Sequence, residues 1–195
     1  MNEVSLFGIF VSALLINNII LMRFLGLCSF FGVSRHMEVS LGMSMAVIFV
    51  MTISSAVTWI LYYFILLPLN LEFLKISTFI LVIASLVQLE ELFLKRYIPH
   101  LYRALGIYLP LVTTNCAILA VAFLHVDYNY AFIQTVVYAL GVSLGYTVAI
   151  MLFTGIRMRL EIAPIPEPLK GYPTAFFIAA LMSLAFLGFK GLFGL

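Results

Sequence analysis

The sequence predicts an all-α integral membrane protein, with six transmembrane helices built as two inverted three-helix repeats. Three observations carry that prediction. Hydrophobic residues make up 65% of the 195 residues and charged residues 9%, with a mean hydropathy of +1.20. A soluble domain carries about 25% charge and about 45–50% apolar residues. The charges also cluster, leaving charge-free windows at 4–22, 39–71, 76–89, 104–126, 128–156 and 171–189. Finally, the two halves, about 1–97 and 98–195, match each other near an offset of 98. The whole chain, 1–195, reads as a single membrane domain.

Segment 1, the window 4–22, has about the 20 apolar residues needed to cross the hydrocarbon. Met1-Asn2-Glu3 ahead of it lacks a basic n-region, which argues against a cleaved signal peptide. Segment 2 begins after Glu38 and closes near residue 67, because Pro68-Leu69-Asn70 is a loop signal. Segment 3 is short as a charge-free window. It extends to roughly 73–92 if Lys75 and the Glu90-Glu91 pair snorkel toward the headgroups. Segments 4, 5 and 6 follow in the remaining windows. Seven Lys/Arg residues (Arg35, Lys95, Arg96, Arg103, Arg157, Arg159, Lys170) fall in the connections on one side, and Lys75 and Lys190 on the other. The positive-inside rule therefore places both termini outside.

The repeat matters for what it superimposes. Near the same offset Gly8-Ile9-Phe10 meets Gly106-Ile107-Tyr108, Asn17 meets Asn115, and Phe79-Ile80 meets Phe177-Ile178. Each half has an odd number of crossings, so the second enters the membrane upside down and the functional site is expected near the midplane. Segment 1 holds Asn17-Asn18 and segment 4 holds Thr113-Thr114-Asn115-Cys116. Adjacent amides within hydrocarbon need partners. They either hydrogen-bond between helices or accompany broken helices, and the pseudo-symmetry favours a broken pair near the midplane.

The cysteines bear on the same point. From a helix start near Leu101, Cys116 lies ~22 Å along, about mid-membrane. A straight helix from Ser5 carries Cys28 ~35 Å along, past the far boundary. A break at Asn17-Asn18 and a re-entrant turn through Gly26 and Gly32 would return it toward the middle. A lone membrane cysteine is ordinarily an apolar filler. Two thiols are too few for a disulfide scaffold, and they cannot close a four-ligand metal or iron–sulfur site without two more from a partner.

The stretch Arg23-Phe24-Leu25-Gly26-Leu27-Cys28, followed by Phe31-Gly32-Val33-Ser34, and the stretch Leu109-Pro110-Leu111-Val112-Thr113-Thr114-Asn115-Cys116 resemble one family's signatures. That family is the RnfA/NqrE group, with sister subunits RnfE and NqrD, of ion-translocating electron-transfer complexes. The likeness is closest to the RnfA type and spans nearly the whole chain, including Leu101-Tyr102-Arg103 and Met182-Ser183-Leu184-Ala185-Phe186. Ser29 departs from it, since relatives often have proline after the cysteine; ligation is not expected to suffer.

The resemblance implies a translocase component, inactive alone, that pairs pseudo-symmetrically with an RnfE-like sister around one [2Fe-2S] cluster. Cys28 and Cys116 would supply two of its ligands and the sister the other two. The complex would couple electron flow between ferredoxin and NAD, reached through B-, C-, D- and G-type subunits, to Na+ or H+ translocation. Its place would be the cytoplasmic (inner) membrane of a bacterium or archaeon. Asn115, Thr114 and the backbone at Gly26 are candidate donors to the sulfurs, and Arg23 either offsets the cluster's charge or snorkels.

Other features add less. Glu90-Glu91 reads as an ion relay or, because Lys95-Arg96 lie close by, as an ion-paired helix end; the second is favoured. His36, His100 and His125 are scattered and form no metal-ligand spacing, and Trp59, Tyr62 and Tyr63 read as an interfacial belt. Residues 161–168, with three prolines, read as a stiff inside loop suited to docking soluble subunits. A net charge of +2 gives no field for nucleic acid. The competing readings are a secondary transporter of inverted repeats with incidental cysteines, and a structural scaffold for the complex.

Overall fold

The computed structural model describes residues 6–34, 36–69, 72–97, 109–162 and 171–192, with Tyr102, Gly106 and Pro164. Arg35, His100, Leu101, Arg103, Lys170 and most of the 161–168 loop, on which parts of the sequence reading rest, lie outside the described residues. Every regular element described is helical.

The first apolar segment breaks where two amides stand together. Helix α1 (Leu6–Ile16) is α-helical to Val11 and then widens into a π turn over Ser12–Ile16, closed by the Asn17 N–H donating to Ser12 O at 2.7 Å. Asn18 leaves the helical region (φ −59°, ψ 118°), and its Oδ1 accepts the N–H groups of Ile20 and Leu21, starting α2 (Ile19–Arg23). This is N-capping inside an apolar stretch: an amide side chain satisfies donors that lipid cannot.

Phe24 ends α2 in the left-handed region (φ 55°), and Gly26 (φ 86°) turns the chain into α3 (Leu27–Val33). A left-handed non-glycine costs roughly 1–2 kcal/mol; here its N–H is satisfied by Ile19 O. The turn thus uses Phe24 and Gly26. Gly32, expected to share it, lies inside α3, where an added Cβ would sit 3.4 Å from Leu111.

Helix α4 (Met37–Leu66) ends in a π turn just before Pro68, as the loop signal requires. Helix α5 (Lys75–Tyr97) runs past the expected 73–92 limits because Lys95 and Arg96 extend its last turn. The fourth apolar segment is interrupted too: α6 (Leu109–Thr113) stops, and Asn115 (φ −71°, ψ 108°) caps α7 (Cys116–Asp127) by accepting from Ala117 N–H. The first-half counterpart of this cap is therefore Asn18 rather than the expected Asn17. Helices α8 (Phe132–Glu161) and α9 (Tyr172–Leu192) complete the chain.

By length and composition, four helices among the described residues can cross a membrane: α4, α5, residues 110–127 taken through the break, and α8. Two apolar helices are shorter, α1 and 172–188 within α9. The six predicted spans therefore become four long helices and two short ones, α1 being cut short by its asparagines.

Helices α4 and α8 pack along each other at the centre. The broken segment α1–α2 lies against α8 and α9, while α6 and α7 lie against α4 and α5. Close approach depends on small residues. Ser40, Ser44, Ser54, Ser55 and Thr58 of α4 are fully buried, and Ser40 Oγ meets Thr154 Oγ1 of α8 at 2.9 Å. On α8, Gly141 and Gly145 let the π turn of α1 come close, and Asn18 Nδ2 donates to Gly145 O at 2.8 Å.

Candidate metal centre

The break in one half and the turn in the other bring two distant cysteines together. Cys116 is the first residue of α7, directly after its cap, and Cys28 is in the first turn of α3. The Cys28 thiol is within electrostatic reach of the Cys116 thiol. Gly26 N–H donates to Cys116 Sγ at 2.9 Å across a separation of 90 residues. Cys28 is exposed and Cys116 partly so. The sulfur pair therefore sits at the surface of this chain, open to a neighbour.

The donor set fits half of a thiolate site. Two soft sulfurs, with a peptide N–H directed at one of them, suit a thiophilic centre. Among the described residues no third His, Cys, Asp or Glu joins them to complete a metal set. At a centre held by four thiolates the remaining ligands must come from outside this chain.

The chain matches the Rnf-Nqr family, described as "Rnf-Nqr subunit, membrane protein", over residues 6–193. It belongs to the Rnf-Nqr family. Among its relatives are A subunits of ion-translocating complexes. The one from the Na(+)-translocating ferredoxin:NAD(+) oxidoreductase complex of Acetobacterium woodii is 50% identical over 188 residues, covering 96% of this chain and 98% of that protein. The one from the proton-translocating ferredoxin:NAD(+) oxidoreductase complex of Clostridium ljungdahlii is also 50% identical over 188 residues, covering 96% of this chain and 97% of the relative. A third, from an ion-translocating oxidoreductase complex of Syntrophotalea carbinolica, is 49% identical over 188 residues, covering 96% of this chain and 97% of that protein. Relatives named for sodium and for protons stand at the same identity, so overall similarity does not select the ion.

The sequence-nominated residues of this Rnf-Nqr chain take different places. Gly26 stands at the sulfur. Asn115 is 2% exposed; its Oδ1 caps α7, and its Nδ2 has no partner among the described residues. Thr114 Oγ1 donates back to Pro110 O within its own turn. Arg23 donates to Tyr128 Oη at 2.9 Å. The favoured ion-paired helix end is also not what Glu90 forms. With Phe79, Ile83, Val87 and Leu94 it belongs to the buried stripe of α5, and it lines a groove with Gly42, Ala46 and Phe93. Helical spacing explains the difference, since Lys95 and Arg96 are five and six residues on, off its face. Glu91 instead accepts from Tyr102 Oη at 3.5 Å. Lys75, at the start of α5, pairs with Asp127, at the end of α7, at 3.3 Å.

Several residues around the centre carry no signature in the sequence. Tyr146 of α8, fully buried, donates to Ser29 Oγ at 2.8 Å. Arg157 of α8 donates to Phe31 O at 3.1 Å and Ser34 Oγ at 2.8 Å, closing the carboxyl end of α3. Ser40 adds a bond to Val33 O. In the sequence Arg157 reads only as a loop charge, and Ser29 only as a departure from the family pattern. A tyrosine in the middle of a charge-free window is the available signal, because a buried phenol needs a partner.

Proposed function

We propose that this chain is the A-type subunit of an ion-translocating ferredoxin:NAD+ oxidoreductase. In this reading Cys28 and Cys116 hold half of the ligand set of a [2Fe-2S] cluster, completed by two cysteines of a homologous sister subunit. The observation that carries it is the meeting of the two thiols at the chain's surface, produced by breaks in two separate apolar segments. Incidental filler cysteines would have no reason to converge there. The bound cluster would supply a one-electron carrier inside a hydrocarbon layer about 30 Å thick.

The chain's own residues do the holding. Asn18 and Asn115 cap helices within two apolar segments by accepting backbone N–H groups that lipid cannot, which lets the backbone turn where the sulfurs are needed. Arg157 and Ser40 anchor the far end of α3. The first half's broken segment packs on α8 and α9 of the second half, and the second half's on α4 and α5 of the first. That exchange supports two inverted repeats about a pseudo-two-fold axis, with the breaks near the midplane. Both termini outside, in a bacterial or archaeal cytoplasmic membrane, completes the reading. The partners are the RnfE-like sister and the B-, C-, D- and G-type subunits, through which ferredoxin and NAD are reached.

The test is anaerobic co-purification with the sister subunit, followed by iron and acid-labile sulfide assays and EPR of the reduced sample. A [2Fe-2S] signal is expected in the native pair, and its loss in Cys28→Ala and in Cys116→Ala. Full retention of the signal in both variants refutes the ligand assignment.

A further inference from the structure

The bond that reaches Cys116 comes from a peptide whose direction depends on Gly26 at φ 86°. Two side chains outside the cysteine pair hold the next peptide, across the Gly26 Cα, whose carbonyl also accepts the Phe30 N–H at 3.1 Å. Ser29 Oγ donates to Gly26 O at 2.9 Å, and Tyr146 Oη donates to Ser29 Oγ at 2.8 Å. The direction of this chain of bonds is fixed, because the carbonyl oxygen at its end only accepts. Ser29 must donate to it, and Tyr146 must then donate to Ser29. Both side chains are fully buried, so neither bond competes with water. The Tyr146 ring also walls the turn, its Cε2 lying 3.6 Å from where a Gly26 Cβ would stand. Its phenol is within electrostatic reach of both sulfurs.

From this we infer that Tyr146, acting through Ser29, is a positioning residue. It keeps the Gly26 N–H aimed at Cys116 Sγ and so raises the reduction potential of the centre that Cys116 helps to hold. The inference rests on the cluster reading above. A donor to sulfur stabilises the reduced, more negative state of a thiolate-bound centre, and hydrogen bonds to sulfur are one of the protein's levers on potential. Tyr146 sits on α8, one of the two central helices, so the aim is set by the rigid core and not by the turn alone.

Tyr146→Phe removes the hydroxyl and keeps the ring, and Ser29→Ala removes the next link; each is made in the intact complex. The one-electron reduction equilibrium is expected to fall about tenfold in each, as loss of a hydrogen bond to a charged group would give. That is a midpoint about 59 mV more negative. The double variant should fall no further than either single one, since both break one path. A second measurement needs no iron: hydrogen exchange at the Gly26 amide in the cluster-free, full-length chain should quicken about tenfold in both variants. A cluster signal whose potential is unmoved in both variants overturns the inference, as does unchanged exchange at Gly26. Absence of any signal from the native complex refutes the cluster reading and the claim on potential, while the exchange rates still decide whether Tyr146 positions the turn.

Discussion

Two glycines of α8 ten residues apart should respond to alanine in opposite directions. At Gly145 an added Cβ would stand 2.7 Å from Leu14 O, 3.3 Å from Asn18 Nδ2 and 3.4 Å from Ala13 O. The first of these is backbone in the π turn of α1 and cannot swing away. Ordinary contact begins near 3.4 Å, so α1 and α8 must separate by about 0.7 Å. The same movement stretches the 2.8 Å bond from Asn18 Nδ2 to Gly145 O to the limit of a hydrogen bond. Overpacking of this kind costs about 1–3 kcal/mol, and stranding a buried amide costs about 1–3 kcal/mol more. Against these stands a helix-propensity gain of up to about 1 kcal/mol, leaving a net loss of about 1–5 kcal/mol. Gly155→Ala meets nothing within 4 Å and keeps only the gain. Thermal unfolding of both variants in one detergent, followed by circular dichroism, reads the difference at about 2–4 °C per kcal/mol. If Gly145→Ala melts as high as Gly155→Ala, the close approach of α1 to α8 is not as described.

Three further outcomes are expected. Asn18→Ala removes both a helix cap and the tie to Gly145, and should destabilise by about 2–3 kcal/mol; Asn17→Ala, at an exposed position whose side chain is tied, among the described residues, to Ser12, should stay within about 0.5 kcal/mol. Equal melting temperatures for that pair would contradict the assignment of the break to Asn18. Arg157→Met removes the guanidinium bonds to the Phe31 carbonyl and Ser34 hydroxyl that close α3, so maleimide labelling of Cys28 in cluster-free membranes should change rate while Arg159→Met leaves it alone; identical rates in both would discount the anchor. Glu90→Leu replaces a carboxyl that has no ion-pair partner among the described residues in an apolar groove, and should raise stability by about 1–3 kcal/mol, which a lowered melting temperature would disprove.

Much of the scaffold is legible along the chain because its causes are local. Pro68 stops α4, and the asparagines in the first and fourth segments break helices that apolar content alone would have run straight through. Even so, locality decides only to within a residue: Asn18 rather than Asn17 carries the cap, because the π turn absorbs an extra residue ahead of it. The need for outside ligands is also readable, from two cysteines alone. Glu90 is misjudged when its charged neighbours in sequence are given the weight. Its place three and four residues from Val87 and Leu94 puts it on the packed stripe instead.

What stays hidden is long-range. Tyr146 finds Ser29 across 117 residues and Arg157 finds Phe31 across 126. A helix in water advertises its packed face by an apolar stripe, whereas a helix surrounded by lipid is apolar all round. The windows therefore tell where the helices run but not which face of α8 meets the turn between α2 and α3. By itself the sequence determined the membrane class, the two breaks and the shortage of ligands, since hydropathy, capping and composition act over a few residues. Only tertiary packing decided that Cys28 and Cys116 meet, and that a tyrosine and an arginine of a distant helix hold the loop bearing one of them.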